Sequence, residues 1–164
     1  MGYKTTTSIF QISQGVQETA ANTYTELTIG SNVDALSREI LLVWAVDIDI
    51  TPSENIANVD AQVNAHLSNT TSTAAIGIQD PDAIATATST CFTNALGGAA
   101  VFQNAEPRNG PANKEPLYYV ATNDMFLGIQ GSNQTGVKRV QVRIWAQRAT
   151  IDAGTYAALL TAQL

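Results

Sequence analysis

Few side chains in this sequence could do chemistry, and their spacing limits what that chemistry could be. Asp47 and Asp49 stand two apart in an alternating run, so on a strand both carboxylates lie on one face. With oxygen atoms from a neighbouring loop or subunit, such a pair could hold Ca²⁺. The plainer expectation is the solvated end of a strand, or pairing across the sheet with Arg139 or Arg143. Asp80 and Asp82 flank Pro81, which reads as a helix start with Asp80 as its cap. The lone His66 falls on the polar side of an alternating segment, with no acidic or cysteine neighbour at a useful spacing. It reads as a surface or interface residue. The single Cys91 also lacks metal-ligand spacing and reads as a small buried residue.

Catalysis needs positioned acids, bases or nucleophiles. One histidine and one cysteine limit the triad arrangements. Leu96-Gly97-Gly98-Ala99 lacks the lysine and the spacing of a phosphate loop. No CxxC, HExxH or EF-hand pattern occurs. The sequence therefore predicts a protein that is not an enzyme and carries no cofactor, Ca²⁺ at Asp47 and Asp49 being the weak exception.

Half of the eight basic residues lie close together, as Lys138, Arg139, Arg143 and Arg148. A nucleic-acid site would use Lys and Arg to displace counterions. This stripe is short and belongs to a chain of net charge −6. A pairing surface between strands or between subunits is the stronger expectation. Trp145 shares its strand face with Arg139 and Arg143, opposite Val140, Val142 and Ile144. If the aliphatic side faces a core, Trp145 faces outward and needs cover. Trp145, Arg139 and Arg143 are thus the candidate subunit interface.

The elements that must position these groups read as mostly β. The segment 38–50, REILLVWAVDIDI, alternates with a period of two. Ile40, Leu42, Trp44, Val46, Ile48 and Ile50 are expected on one inward face, with Trp44 in the core. The opposite face changes from apolar to acidic, so the first half is expected to be covered on both sides. Residues 22–29, 61–70, 73–78, 99–103, 117–121, 125–130 and 137–150 are further strand candidates. Residues 80–92 suggest a short helix, and Asp152 caps a second one in which Tyr156, Leu159 and Leu160 share a stripe. About eight strands with turns between them give an antiparallel β-sandwich or jelly roll. Residues 1–20 read as an N-terminal arm or edge strand, and 21–164 as one sandwich domain.

Composition adds a second constraint. Of the 164 residues, 45% are hydrophobic but only 13% are charged, about half the usual fraction. Thr, Ser, Asn, Gln and Ala replace the missing charge, which suits a folded domain whose surface is largely covered by partners. The N-terminal residues lack the apolar core of a signal peptide, and no apolar run is long enough to cross a membrane. Asn69-Thr70-Thr71 and Asn133-Gln134-Thr135 match glycosylation sequons, a weak signal in so Asn- and Thr-rich a chain.

The segments EPLYYVATNDMFLGIQGSN and VKRVQVRIWAQRAT, together with REILLVWAVDIDI, resemble strands of single jelly-roll capsid proteins of tailless icosahedral viruses. The resemblance covers roughly residues 37–164 and rests on size, strand order, low charge and an Ala/Thr/Asn-rich surface. It has no diagnostic motif, so no functional residue is carried over. It implies an eight-stranded sandwich that forms trimers or pentamers with copies of itself and then a shell, beside other virion proteins, in the virion. Many such proteins have a basic N-terminal arm, whereas Lys4 is the one basic side chain in the first twenty residues here. Strong direct binding to nucleic acid is therefore not expected. The alternatives are a phage tail, spike or decoration protein, and a β-sandwich module that binds carbohydrate or peptide.

Overall fold

The computed structural model describes residues 2–94, 98–104, 108–109 and 115–163. The sequence also reads as loop-like over 93–115, and of that stretch residues 95–97, 105–107 and 110–114 lie outside the described ones. Among the described residues, eleven strands run in the order β1 (Tyr3–Thr5), β2 (Phe10–Gln17), β3 (Thr25–Gly30), β4 (Glu39–Ile50), β5 (Ala61–Ser68), β6 (Ala83–Thr93), β7 (Ala99–Asn104), β8 (Arg108–Asn109), β9 (Tyr118–Val120), β10 (Asp124–Ser132) and β11 (Arg139–Ile151). A helix, α1 (Ala153–Ala162), follows.

The pairing is nested. β2 pairs with β11, β3 with β10, β4 with β9 and β5 with β6, all antiparallel. The chain is thus one long hairpin rolled on itself, which is the jelly roll. Rolling adds the pairs β4–β11 and β5–β10, giving a six-stranded sheet (β1, β2, β11, β4, β8, β9) and a five-stranded sheet in the order β3-β10-β5-β6-β7. The first twenty residues supply β1 and β2, both laid along β11.

The core lies between the sheets. Val46, Ile48, Val140, Val142 and Ile144 from one sheet meet Val63, Leu67, Leu127 and Ile129 from the other. A second apolar cluster sits on the outside of the six-stranded sheet, where Tyr156, Leu159 and Leu160 of α1 cover Ile40, Leu42, Ala149 and Ile151. Asp152 caps α1 as expected, accepting from Thr155 N at 3.0 Å. Because α1 covers that side, Ile40 to Val43 are buried on both faces of β4.

Trp44 corrects the expected facing. Trp145 pairs with Ala45 and Ala146 pairs with Val43, so Trp44 is the extra residue of a bulge. The bulge reverses the phase of β4. Leu41 and Val43 point inward before it, Val46, Ile48 and Ile50 after it, while Ile40 and Leu42 point outward under α1. Trp44 is half-buried, packs against the outer cluster and donates from Nε1 to Gln147 Oε1 at 3.2 Å. It is not in the core between the sheets.

A second correction concerns residues 80–92. Asp80 Oδ1 accepts from Asp82 N at 3.0 Å, so the Asp-Pro-Asp sequence makes a turn of its own rather than a helix cap. β6 follows, with Ala85, Ala87, Ser89 and Cys91 inward and Thr86, Thr88 and Thr90 outward. Cys91 is fully buried, as expected. Residues 73–78 are not a strand; they belong to a loop from 69 to 82.

The connection between β10 and β11 is held by two carboxylates from distant parts of the chain. Glu18, 3% exposed, accepts from Gly131 N at 2.6 Å and from Lys138 N at 2.8 Å. Glu54 accepts from Thr135 N at 2.9 Å, Gly136 N at 3.1 Å and Lys138 Nζ at 2.7 Å. The Lys138 ammonium, then the Thr135 hydroxyl and amide, hold the Glu54 carboxyl down at about 2. Asn22 adds a two-point clasp, accepting from Gln134 N at 2.7 Å and donating to Gln134 O at 2.9 Å.

The reversed phase of β4 sets an order of mutational cost. Leu41→Ala empties a fully buried inward site and should cost about 2–5 kcal/mol. Trp44→Ala should cost less than Leu41→Ala, despite removing the larger side chain. Urea denaturation of both variants checks this; a larger loss at Trp44 would restore an unbulged strand.

Candidate functional site

The outer face of the six-stranded sheet gathers Asp47, Asp49, Arg139, Arg143 and Trp145. Regular alternation along β11 puts Arg139, Gln141, Arg143 and Trp145 on it. Register with β4 brings Asp47 opposite Arg143 and Asp49 opposite Gln141. On the other side of β11, Ser13 faces Arg143 and Gly15 faces Gln141. Together these form a shallow, open groove of about 490 Å³. Its floor is low at Gly15, where an added Cβ would lie 3.1 Å from Val140 O.

Two carboxylates and two guanidinium groups share this groove without a close ion pair. Among the described residues the ion pairs are Lys138–Glu54 at 2.7 Å and Arg148–Glu39 at 3.9 Å. The Gln141 amide, turned so that its oxygen meets the guanidinium, accepts from Arg139 Nε at 3.2 Å. The Arg143 guanidinium carbon lies 5.9 Å from the centroid of the Trp145 ring, a cation–π stack within one chain. Trp145 is left half-buried. Asp47 and Asp49 do share a face, but Arg143 and Arg139 stand beside them and would repel a cation. Among the described residues no three His, Cys, Asp or Glu side chains come together as metal ligands.

The basic stripe 138–148 is divided by the alternation. Lys138 is buried and spent on Glu54. Arg148 reaches Glu39 and lies 6.0 Å from the Phe10 ring. Arg139 and Arg143 remain on the outer face.

The opposite outer face belongs to the five-stranded sheet, and its centre is uncharged. One row across the strands reads Gln130, Asn64, Thr88, Asn104, and the next reads Ser132, Gln62, Thr90, Phe102. Phe92 and Phe102 stand edge to face at 6.0 Å on its β7 side and are exposed.

His66 lies further along this face, and it is not a surface residue. It is fully buried, because the loop 69–82 folds over it. Its ring stacks on Tyr24, with centroids 6.0 Å apart and planes 8° apart. Ile76 N donates to Nδ1 at 3.3 Å, and Nε2 lies 3.4 Å from Tyr24 Oη. Tyr24 Oη donates to Glu26 Oε2 at 2.6 Å. Glu26 also accepts from Thr71 Oγ1 at 2.6 Å and Ser72 N at 3.0 Å. Burial works against the Glu26 charge, but the bonds from Thr71, Tyr24 and Ser72 outweigh it and hold the carboxyl below its usual value. Burial, then Glu26, pushes the Tyr24 phenol well up. Burial likewise lowers His66, against the pull of Glu26 and Asp80. Alternation alone could not find this cluster, since the cover comes from a loop. One signal was available: Gly128 interrupts a strand, and an isolated strand glycine marks a close approach. A Cβ there would strike the His66 ring and lie 2.7 Å from Tyr24 Oη.

Asn69 is 2% exposed, so its sequon is closed to glycosylation in the folded chain. Among the described residues, no helix is long and apolar enough to cross a membrane. No family model matches the chain, and no curated protein matches it. The fold and its two unlike outer faces define a jelly-roll β-sandwich domain.

Gly128→Ala should displace the buried His66–Tyr24 stack and destabilise the protein by about 1–3 kcal/mol, the usual cost of overpacking. Thermal unfolding measures this. A neutral result would mean that the stack yields freely and holds nothing in place.

Proposed function

We propose that the protein is a structural subunit that assembles with copies of itself, as a shell protein of a virion. The observation that supports this reading best is the uncharged centre of the five-stranded sheet's outer face. Gln130, Asn64, Thr88 and Asn104 run across four strands there without a charged side chain between them. Charged residues are depleted at the cores of protein interfaces, whereas free surfaces are rich in them. The jelly-roll pairing suits the role, since a sandwich closed by its own first and last strands can be tiled as a rigid block. Closed point symmetry then encloses a volume from identical contacts. Arg139, Arg143 and Trp145 on the other outer face are the candidate second contact: Trp145 is a large ring that one arginine only partly covers.

A carbohydrate- or peptide-binding module is the second reading. It draws on the exposed Phe92–Phe102 pair beside Thr90, where rings and hydroxyls could meet a sugar. A tail, spike or decoration protein would be an assembly of another form.

Electron microscopy of the purified protein separates these readings. Closed shells are expected; tubes or free trimers point to a tail or spike component, and small oligomers that retain a glycan on an array point to a binding module. Trp145→Ala should fold normally and assemble less well. A variant that unfolds, while its folded fraction assembles normally, would place Trp145 in a structural rather than an assembly role.

A further inference from the structure

The loop 69–82 is strapped across the outer face of the five-stranded sheet by a few bonds, and His66 lies at their centre. Ile76 N donates to its Nδ1 at 3.3 Å. That bond requires a neutral ring with its proton on Nε2, because a protonated Nδ1 would meet Ile76 N–H donor to donor. Nε2 in turn faces Tyr24 Oη at 3.4 Å, and that hydroxyl donates to Glu26 Oε2 at 2.6 Å. Further bonds hold the loop: Thr71 Oγ1 and Ser72 N on Glu26, Ala75 N on Gln130 Oε1 at 3.2 Å, and Ser68 Oγ on Thr70 O at 2.8 Å.

We infer that the loop is a pH-sensitive strap: protonation of His66 breaks its bond to Ile76 and opens the loop, uncovering the sheet face beneath it. This rests on the geometry of the loop and is independent of the assembly reading.

The charged groups around the ring decide the direction. β3 presents Tyr24 and Glu26, and the loop contributes Asp80, whose charge favours the imidazolium, as does that of Glu26. Asp82, at the far end of the loop, is engaged by Thr70 Oγ1 at 2.9 Å. β10 and β6 oppose His66 with Gly128 and Thr86, neither of which titrates. Burial outweighs the two carboxylates and holds the ring below the ordinary histidine value. A group whose folded pKa is lowered contributes stability that is present above its unfolded value and lost as pH falls. The closed strap is therefore fully favoured above about pH 6.5 and weakens below it. Glu26, held below its usual range, stays charged through that window. The ring is thus the group that changes.

Hydrogen exchange of the Ile76 amide, expressed as protection against its intrinsic rate, reads the opening directly. Between about pH 7.5 and about pH 5, protection in the wild type should fall several-fold, because the open state takes up a proton that the closed state resists. His66→Asn keeps an acceptor near the Nδ1 position and cannot take up the proton, so its protection should stay level. An equal fall in both proteins would overturn the inference, as would constant protection in the wild type. Should the variant fail to fold, ¹⁵N shifts of the only histidine decide. A neutral ring with its proton on Nε2 that titrates below about 6.5 supports the strap, and a proton on Nδ1 overturns it.

Discussion

The sandwich depends on β11 lying between β2 and β4, and so on the turn that sends the chain back into it. Glu18 bonds to Lys138 N across 120 residues of sequence. Closing so long a loop has an entropic cost, which the nested pairs inside it reduce by shortening the free chain. A buried carboxylate at that point gives two charge-assisted bonds to backbone amides, each stronger than a neutral one. The same two amides would be left unsatisfied without it. Glu54 and Asn22 engage the turn between those ends. Two distant segments, residues 18–22 and Glu54, thus converge on the connection that closes the outermost of the nested pairs.

Closure also explains why the two outer faces differ. α1 follows directly on β11, so it packs on the six-stranded sheet and covers Ile40, Leu42 and Ile151 at one end. The other end of that sheet keeps the groove of Arg139, Arg143, Asp47 and Asp49. On the five-stranded sheet the cover is a loop, which buries the His66 end and reaches the near row at Gln130. The next row, with Ser132 and Gln62, lies open. Those rows are the surface that a neighbouring copy would need to find free of charge.

Much of this was legible because strong alternation reports facing. β11 was read with the correct phase, and so was the outward position of Trp145. α1 was marked by Asp152 and its three-residue apolar stripe. β4 was located correctly, but the phase failed at Trp44, since a bulge leaves no trace in a run that is apolar at nearly every position. β6 failed for the opposite reason. Ala inward and Thr outward differ too little in hydropathy for the period to stand out, so Asp80-Pro81-Asp82 reads as a helix start when it is a turn. His66 was assigned to the correct face of its strand, but the loop that buries it is set by Glu26 and Gln130, forty and more residues away in sequence.

The central claim is that this jelly roll is one copy of a repeating contact, and the mass of the protein in neutral buffer tests it most directly. Light scattering at micromolar concentration should give a species at least three times the mass of one chain, with near-UV circular dichroism confirming a packed fold. A clean monomer with the full near-UV signal would contradict it, because the uncharged face would then be a stable free surface.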